Sequence, residues 1–462
     1  MKTIYINLNK ITALASLLFF MNSCDSFVDV ELPGSQMSGA AVFQDYATAN
    51  AALADIYSKI RDRGFLTGNG SGLSSQLGCY TDELIPYGVR SNSHFIFYTN
   101  TVLPTTPDIA DYWNAAYNQI YAANAIIEGV NLSNDLTTAQ RNQLYGEALF
   151  IRALSHWYLV SLYGDVPYIT NTDYRANSIV TRIKQQKVYD LIIKDLLESE
   201  QKLGTNSTSQ QRIRPDKSTI KALLARTYLY TGEYAEAANE ASAILNQTGT
   251  YHLENVSKVF LNNSSETIWQ LQSADTGQNT QEALHFIFES GPPPAVALSN
   301  DLVQSFSVDD LRLSNWINRV TDGVSVWYHA FKYKQQDYTP VSVEYSIVFR
   351  LAEQYLIRAE ARALQGDLIG AKEDLNQIRY RAGLQNSTAE SKEEILKAIL
   401  TERKWELFTE HGHRFFDLKR FGKLDSQLSI TKSGWKAAAA LFPIPQSELS
   451  ANPNLKPQNP GY

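Results

Sequence analysis

The segment "TERKWELFTEHGHRFFDLKR" (401–420) holds the densest set of side chains able to do chemistry. Glu402 and Glu406 stand four residues apart, hence on one face of a helix, where like charges repel unless cations neutralise them. Such a pair could act as acid and base. Arg403, Arg414 and Lys419 are near enough in sequence to pair with it, and the pattern reads instead as an ion network that fastens the last helices to the fold. His411 and His413 supply half a metal site at most. Zinc needs three or four ligands with outer-shell support, and no nearby Cys or His completes the set, so no metal is expected. "GNGSG" (68–72) lacks the lysine and the strand-to-helix setting of a phosphate loop and reads as a turn. Neither a G-x-S-x-G elbow nor an H-E-x-x-H motif occurs, and no cofactor is expected.

Two other segments combine rings with planar polar groups. "CYTDELIPYGVRSNSHFIFY" (79–98) offers Tyr80, Asp82, Tyr87, Arg90 and Asn92. "SNWINRVTDGVSVWYHAFKY" (314–333) offers Trp316, Asn318, Trp327, Tyr328 and His329. A sugar presents apolar C–H faces that stack on flat rings. Its hydroxyls need amide, carboxylate or guanidinium partners to offset desolvation. Both segments have that mixture, and tryptophans in irregular, polar stretches are better ligand candidates than those inside helices, such as Trp157 or Trp405. The competing reading is local loop packing.

These segments need a frame. The composition, 44% hydrophobic and 19% charged over 462 residues, is that of a globular chain with a large core. Nothing in the net charge of −7 suggests a nucleic-acid binder, which would need a clustered basic surface. From Thr138 to Tyr163, Leu144, Ala148, Ile151, Leu154, Tyr158 and Leu162 recur at helical steps and mark one face. Residues 219–245 read as two helices around Gly232, with Leu224, Ala225, Tyr228, Tyr234 and Ala237 where a tetratricopeptide-type hairpin places them. A second copy at 351–380 puts Gly366 and Ala371 at the same offset of 134 from Gly232 and Ala237 (366 − 232). Residues 111–130 with 138–163 form a further helix pair. Two stretches, 64–107 and 247–348, break the helical pattern. Long irregular connections in a compact domain commonly carry function.

Residues 1–23 read as an export leader. Lys2 and Lys10 precede an apolar run, Ile11 to Met21, of about eleven residues, too short to span a bilayer. Loss of the two lysines would take the net charge from −7 to −9. "MNSC" (21–24) resembles a lipobox, which makes Cys24 the expected lipid-attachment residue, with residues 24–43 as lipidated cysteine and tether. Ordinary secretion is the alternative. Several acyl chains would hold the protein on a membrane without a spanning helix. Cys79 is then left alone, a small and partly buried residue with no disulfide partner.

"FRLAEQYLIRAEARALQGD" (349–367), "ILTERKWELFTEHGHRFFDLKRFG" (399–422) and "LFPIPQSELSANPNLKPQNPGY" (441–462) closely resemble the SusD/RagB family of nutrient-uptake lipoproteins. "YWNAAYNQIYAANAIIE" (112–128) and "GEALFIRALSHWYLVSLYGDVPY" (146–168) resemble its N-terminal half. The resemblance implies a mainly α-helical fold of about four tetratricopeptide-like hairpins, with long irregular loops and a few short strands. It implies one domain over 44–462, with an N-terminal part to about residue 215 and a C-terminal part from 216. It further implies a lipid anchor on the outer face of the outer membrane, a SusC-type TonB-dependent transporter as partner, and a glycan or, in some branches, a peptide as ligand. In the family the matching motifs are structural, and ligand contacts lie in the variable loops. The expectation is therefore a non-enzymatic protein that captures an oligosaccharide and passes it to the transporter. A glycosidase would need facing carboxylates roughly 5–9 Å apart, and no such pair is evident. A plain tetratricopeptide scaffold would have no small-molecule site.

Overall fold

The computed structural model describes residues 39–204 and 211–462. The leader, Cys24 and the tether as far as residue 38 lie outside the described residues. Helices of eight residues or more are α1 (Tyr46–Asp62), α2 (Leu73–Tyr80), α3 (Pro107–Leu132), α4 (Thr138–Tyr163), α5 (Gln185–Lys202), α6 (Lys217–Thr231), α7 (Tyr234–Leu245), α8 (Leu351–Gln365), α9 (Leu368–Arg381), α10 (Lys392–Leu407), α11 (His413–Arg420) and α12 (Leu424–Thr431). Strands are β1 (Leu84–Pro86), β2 (Thr267–Leu271), β3 (Val296–Leu298), β4 (Ile317–Thr321), β5 (Val326–Ala330) and β6 (Ser346–Arg350). The fold is mainly α-helical, and the strands come almost entirely from the two stretches that lack helical periodicity. No helix of the described residues is long and apolar enough to cross a membrane.

Each helix from α3 to α9 packs on the next, and α10 closes over α8 and α9 before α11 packs on α10. Sequential pairs α3–α4, α6–α7, α8–α9 and α10–α11 thus form the frame, with α5 between α4 and α6. Local chemistry fixes the ends. Thr137 and Gln140 cap α4 reciprocally, as Asp216 and Thr219 cap α6 and Ser391 and Glu394 cap α10. The internal repeat is accurate to the residue. Shifting α6 by 134 gives 351–365, the bounds of α8, and the starts of α7 and α9 differ by the same amount. Gly232 and Gly366 end the first helix of each copy in the left-handed region, at φ 85° and 91°, where a Cβ would be strained. A buried bidentate pair, Arg226 to Glu353 at 2.7 Å for both bonds, joins the two copies.

Helix α4 departs from the one-faced pattern. Every residue from Gly146 to Tyr163 is buried, because α3, α5 and the C-terminal segment surround it. Its buried charged side chains are paired internally. Glu147 accepts from the Tyr57 hydroxyl (2.7 Å) and the Arg214 guanidinium (2.6 Å), and Arg152 holds Asp195 through two 2.7 Å bonds. Cys79 is wholly buried, not partly, and burial pushes its thiol up to about 12.

The carboxylates of α10 are structural. Glu406 meets Arg350 (2.5 Å), Arg312 (2.9 Å) and Arg381, and Glu402 meets Arg312 (2.7 Å) and Arg379 (3.2 Å). Burial alone would raise the Glu406 carboxyl, but the guanidinium groups of Arg381, Arg350 and Arg312 outweigh it and hold it well below the usual carboxylate range. The neutralising cations are therefore not the expected neighbours. Arg403 pairs with Asp417, Arg414 with Asp82, and Lys419 donates to the Ser161 carbonyl. His411 and His413 are buried, and burial keeps both imidazoles neutral. Glu406→Gln leaves buried guanidinium groups without their shared counter-charge and is expected to cost about 3–5 kcal/mol in chemical denaturation, whereas a loss below about 1 kcal/mol would contradict this role.

Candidate functional site

Two short antiparallel pairings bring the nominated loops together. β1 pairs with β3 (Ile85 opposite Ala297), and the Tyr87 amide extends the ladder by donating to the Ala295 carbonyl at 2.7 Å. β4 and β5 form a hairpin in which Val320 stands opposite Trp327 and Asn318 opposite His329. Its turn is closed by Asp322, whose carboxylate accepts from the Val324 and Ser325 amides at 2.9 and 2.7 Å, with Gly323 at φ 91°. Opposed residues of an antiparallel pair share a sheet face. Val320 and Trp327 therefore point the same way and, with Phe288, Ala297 and Tyr87, make a small apolar cluster separate from the main core.

Tyr87 and Trp327 are half-buried and pack into the same small cluster. The indole lies against the backbone of Gly291. A Cβ on that glycine would fall 2.0 Å from Cζ3 of the ring, so only hydrogen fits beneath it. Behind the patch, His329 is buried, and burial holds its imidazole neutral. Its Nδ1 lies 3.1 Å from the Ala330 carbonyl and must donate there, which leaves Nε2 to accept from the exposed Asn318 amide at 3.2 Å. Asn318 Oδ1 in turn accepts from the Arg319 amide. Tyr328, on the other strand face, is half-buried against the main core.

Other nominated residues are not brought to this patch. Tyr80, at the end of α2, is fully buried with its ring against Phe97, Phe415, Trp435 and Phe442, and its hydroxyl donates to the Ala439 carbonyl at 2.9 Å. Asp82 is buried and held by Arg414 through bonds of 2.8 and 2.7 Å. Trp316 is fully buried, donates from its indole to the Val256 carbonyl at 2.8 Å, and has Lys332 at 5.0 Å from its ring centroid. These three are corrected to core residues, since no ligand at the surface reaches them. Arg90 is exposed in the loop beyond Tyr87. Half-buried Asn92 caps the short helix Ser93–Tyr98, its Oδ1 spent on the amide and Nδ1 of His94.

That cap starts a polar relay. His94 Nδ1 donates to Asn92, so its Nε2 accepts from Ser75 Oγ at 2.9 Å. The single hydroxyl proton is then used, and His285 Nε2 must donate to the same oxygen at 2.7 Å. The trio has the residue types of a nucleophile with bases, but Ser75 is fully buried inside α2. Among the described residues no group of three or more His, Cys, Asp or Glu is arranged to hold a metal.

Residues 312–462 match the SusD family, and residues 79–229 match a family described as starch-binding and associating with the outer membrane. The chain belongs to the SusD/RagB family. SusD-like protein P2 of Formosa agariphila is 28% identical, over 77% of this chain and 81% of that protein. A SusD superfamily protein from Bacteroides vulgatus shares the fold at a TM-score of 0.80 and 22% identity, covering 91% of this chain and all of that one. A laminarin-binding SusD-like protein superposes at a TM-score of 0.78 with 25% identity, covering 90% of this chain and 99% of that one.

In this SusD/RagB protein the seat of the patch escaped sequence reasoning. Phe288 and Val320 have no distinguishing local pattern. Gly291 stands in "SGPPPA" (290–295), where a glycine before three prolines marks a stiff, closely approached backbone and was the available signal. Gly291→Ala is expected to displace the Trp327 ring and shift its fluorescence, with the melting temperature little changed. An unaltered spectrum would show that the ring does not rest there. Burial also pushes the His285 imidazole down to about 3, from an unfolded value near 6.5. The unfolded chain takes up that proton below about pH 6.5 and the folded chain does not until about pH 3. Stability should therefore decline as pH falls through this window, with a shallower slope in His285→Gln, and parallel slopes would contradict the assignment.

Proposed function

We propose that this chain captures an oligosaccharide on the Tyr87–Trp327 patch, at the cell surface, and passes it to a SusC-type TonB-dependent transporter in the outer membrane. The observation that carries the reading is the pair of adjoining, half-buried rings on a seat built from three irregular segments. Rings fixed before the ligand arrives stack on sugar C–H faces at small entropic cost. Exposed Asn318, on the same hairpin as Trp327, supplies a planar group for hydroxyls. The family description of residues 79–229 as starch-binding, and a relative that binds laminarin, support a glycan as ligand. Lipid on Cys24 would hold the protein at the membrane, and the outer-membrane association in the same family description agrees with that location.

The reading is of binding without turnover. Glu402 and Glu406 are consumed by guanidinium groups, and Ser75 is sealed in the core. A glycan screen of the purified protein should return one or more oligosaccharide ligands, each recovered at its original length after prolonged incubation. Trp327→Ala should weaken that binding at least tenfold, about 1.4 kcal/mol. Unchanged affinity in Trp327→Ala, or shortened products, would overturn the proposal.

A further inference from the structure

Helix α3 carries an unusual stripe. Asn114, Tyr117, Asn118 and Tyr121 follow the i, i+3, i+4, i+7 spacing of a single helix face. The opposite face, with Ile109, Ala116, Ile120 and Ala123, is buried. A face of rings and amides is not what a packing helix needs. It forms one wall of a cleft of about 360 Å³, whose other walls are the short helix Tyr174–Asn177, the connection through Pro167 and Ile169, and the C-terminal helix Gln446–Ala451. That volume lies at the lower end of the range of small-molecule sites, about 300–1,000 Å³.

The walls are pre-set. Tyr117 donates to the Pro167 carbonyl at 2.9 Å and leans on Trp113 with ring centroids 4.9 Å apart. The Tyr174 hydroxyl accepts from Arg175 Nε at 3.2 Å, which restrains its ring. Asn177 donates to the Asn171 carbonyl and Asn452 to the Val180 carbonyl. Other groups are unspent. Tyr121 is 53% exposed and Tyr174 70%. The amides of Asn114 and Asn118 and the hydroxyl of Tyr121 make no hydrogen bond to a described residue. The Glu448 carboxyl is half-buried at the cleft wall, and burial raises it above the usual carboxylate range.

This inventory selects a ligand class. An apolar ligand would strip water from two asparagine amides and return nothing to them. An anion would find a carboxyl and, among the lining residues, no lysine or arginine. A neutral polyhydroxylated ring fits both properties, since its faces stack on Tyr121 and Tyr174 while its hydroxyls engage Asn114, Asn118 and Glu448. Asn114 and Asn118 also line a neighbouring hollow of about 320 Å³ bordered by Asp62, Arg63, Asp108 and Asp111, so a longer chain has polar partners beyond them.

We propose that the α3 cleft is a second saccharide-binding site, separate from the Tyr87–Trp327 patch. The proposal rests on the reading of the chain as a glycan-capture protein and extends it: two sites on one rigid body raise the avidity for a long glycan through effective concentration. Native mass spectrometry of the purified protein with maltohexaose, laminarihexaose, xylohexaose and mannohexaose counts the sites. At least one probe should load two copies. Tyr121→Ala with Tyr174→Ala should remove one copy with at least a tenfold loss in that site's affinity, and Tyr87→Ala with Trp327→Ala should remove the other. Both tyrosines of the cleft are exposed, so the melting temperature of the first double variant should match that of the parent. If the cleft variant keeps the parent stoichiometry and affinity for every probe, the second site is wrong while the patch stands. If only the cleft variant loses binding, the patch is wrong while the cleft stands. Failure of all four probes to bind overturns both.

Discussion

One carboxylate organises the molecule. Glu406 on α10 accepts from guanidinium groups of Arg312, Arg350 and Arg381, which come from a short helix, the end of β6 and the end of α9. Its backbone carbonyl also accepts from Lys332, just beyond β5, at 2.8 Å. Four separate chain segments thus converge on one residue. Such a lattice adds little net stability over apolar packing, yet a vacancy in it is costly. It therefore acts as a register constraint: the helical array and the irregular middle of the chain can dock in only one way.

The patch inherits that constraint. Trp316, fixed among Lys332, Arg350 and Arg381, immediately precedes β4, and Lys332 follows β5 by two residues. Both stems of the hairpin are pinned in the ionic core while Val320 and Trp327 stand further out along it. Rigidity at the ring face is thus a property of the scaffold, and the loops that carry the rings are held by contacts made elsewhere.

How much was legible in the sequence follows from the range of the interactions involved. The α6–α7 and α8–α9 repeat was readable because Gly232, Gly366, Ala237 and Ala371 have local geometric meanings: a left-handed cap and a close helix approach. The all-round burial of α4 was not, since it depends on α5 and a C-terminal segment hundreds of residues away. Glu402 and Glu406 read correctly as an ion network, but their partners were misassigned to sequence neighbours. Tyr87 and Trp327 come to one half-buried patch while Tyr80, Asp82 and Trp316, nominated with them, lie in the core, and the sequence did not separate them because residue type does not distinguish a ring that ends a packed helix from one that faces outward across a hairpin. Only the register, Val320 against Trp327, separates the two.

The burial of Cys79 has a practical corollary. A thiol held near 12 stays almost wholly protonated at neutral pH, and it is shielded from solvent by the core. It resists oxidants and alkylating reagents for as long as the fold persists, so this position needs no reductant in an oxidising medium. The rate at which a maleimide labels this position becomes a clock for opening of the core around α2.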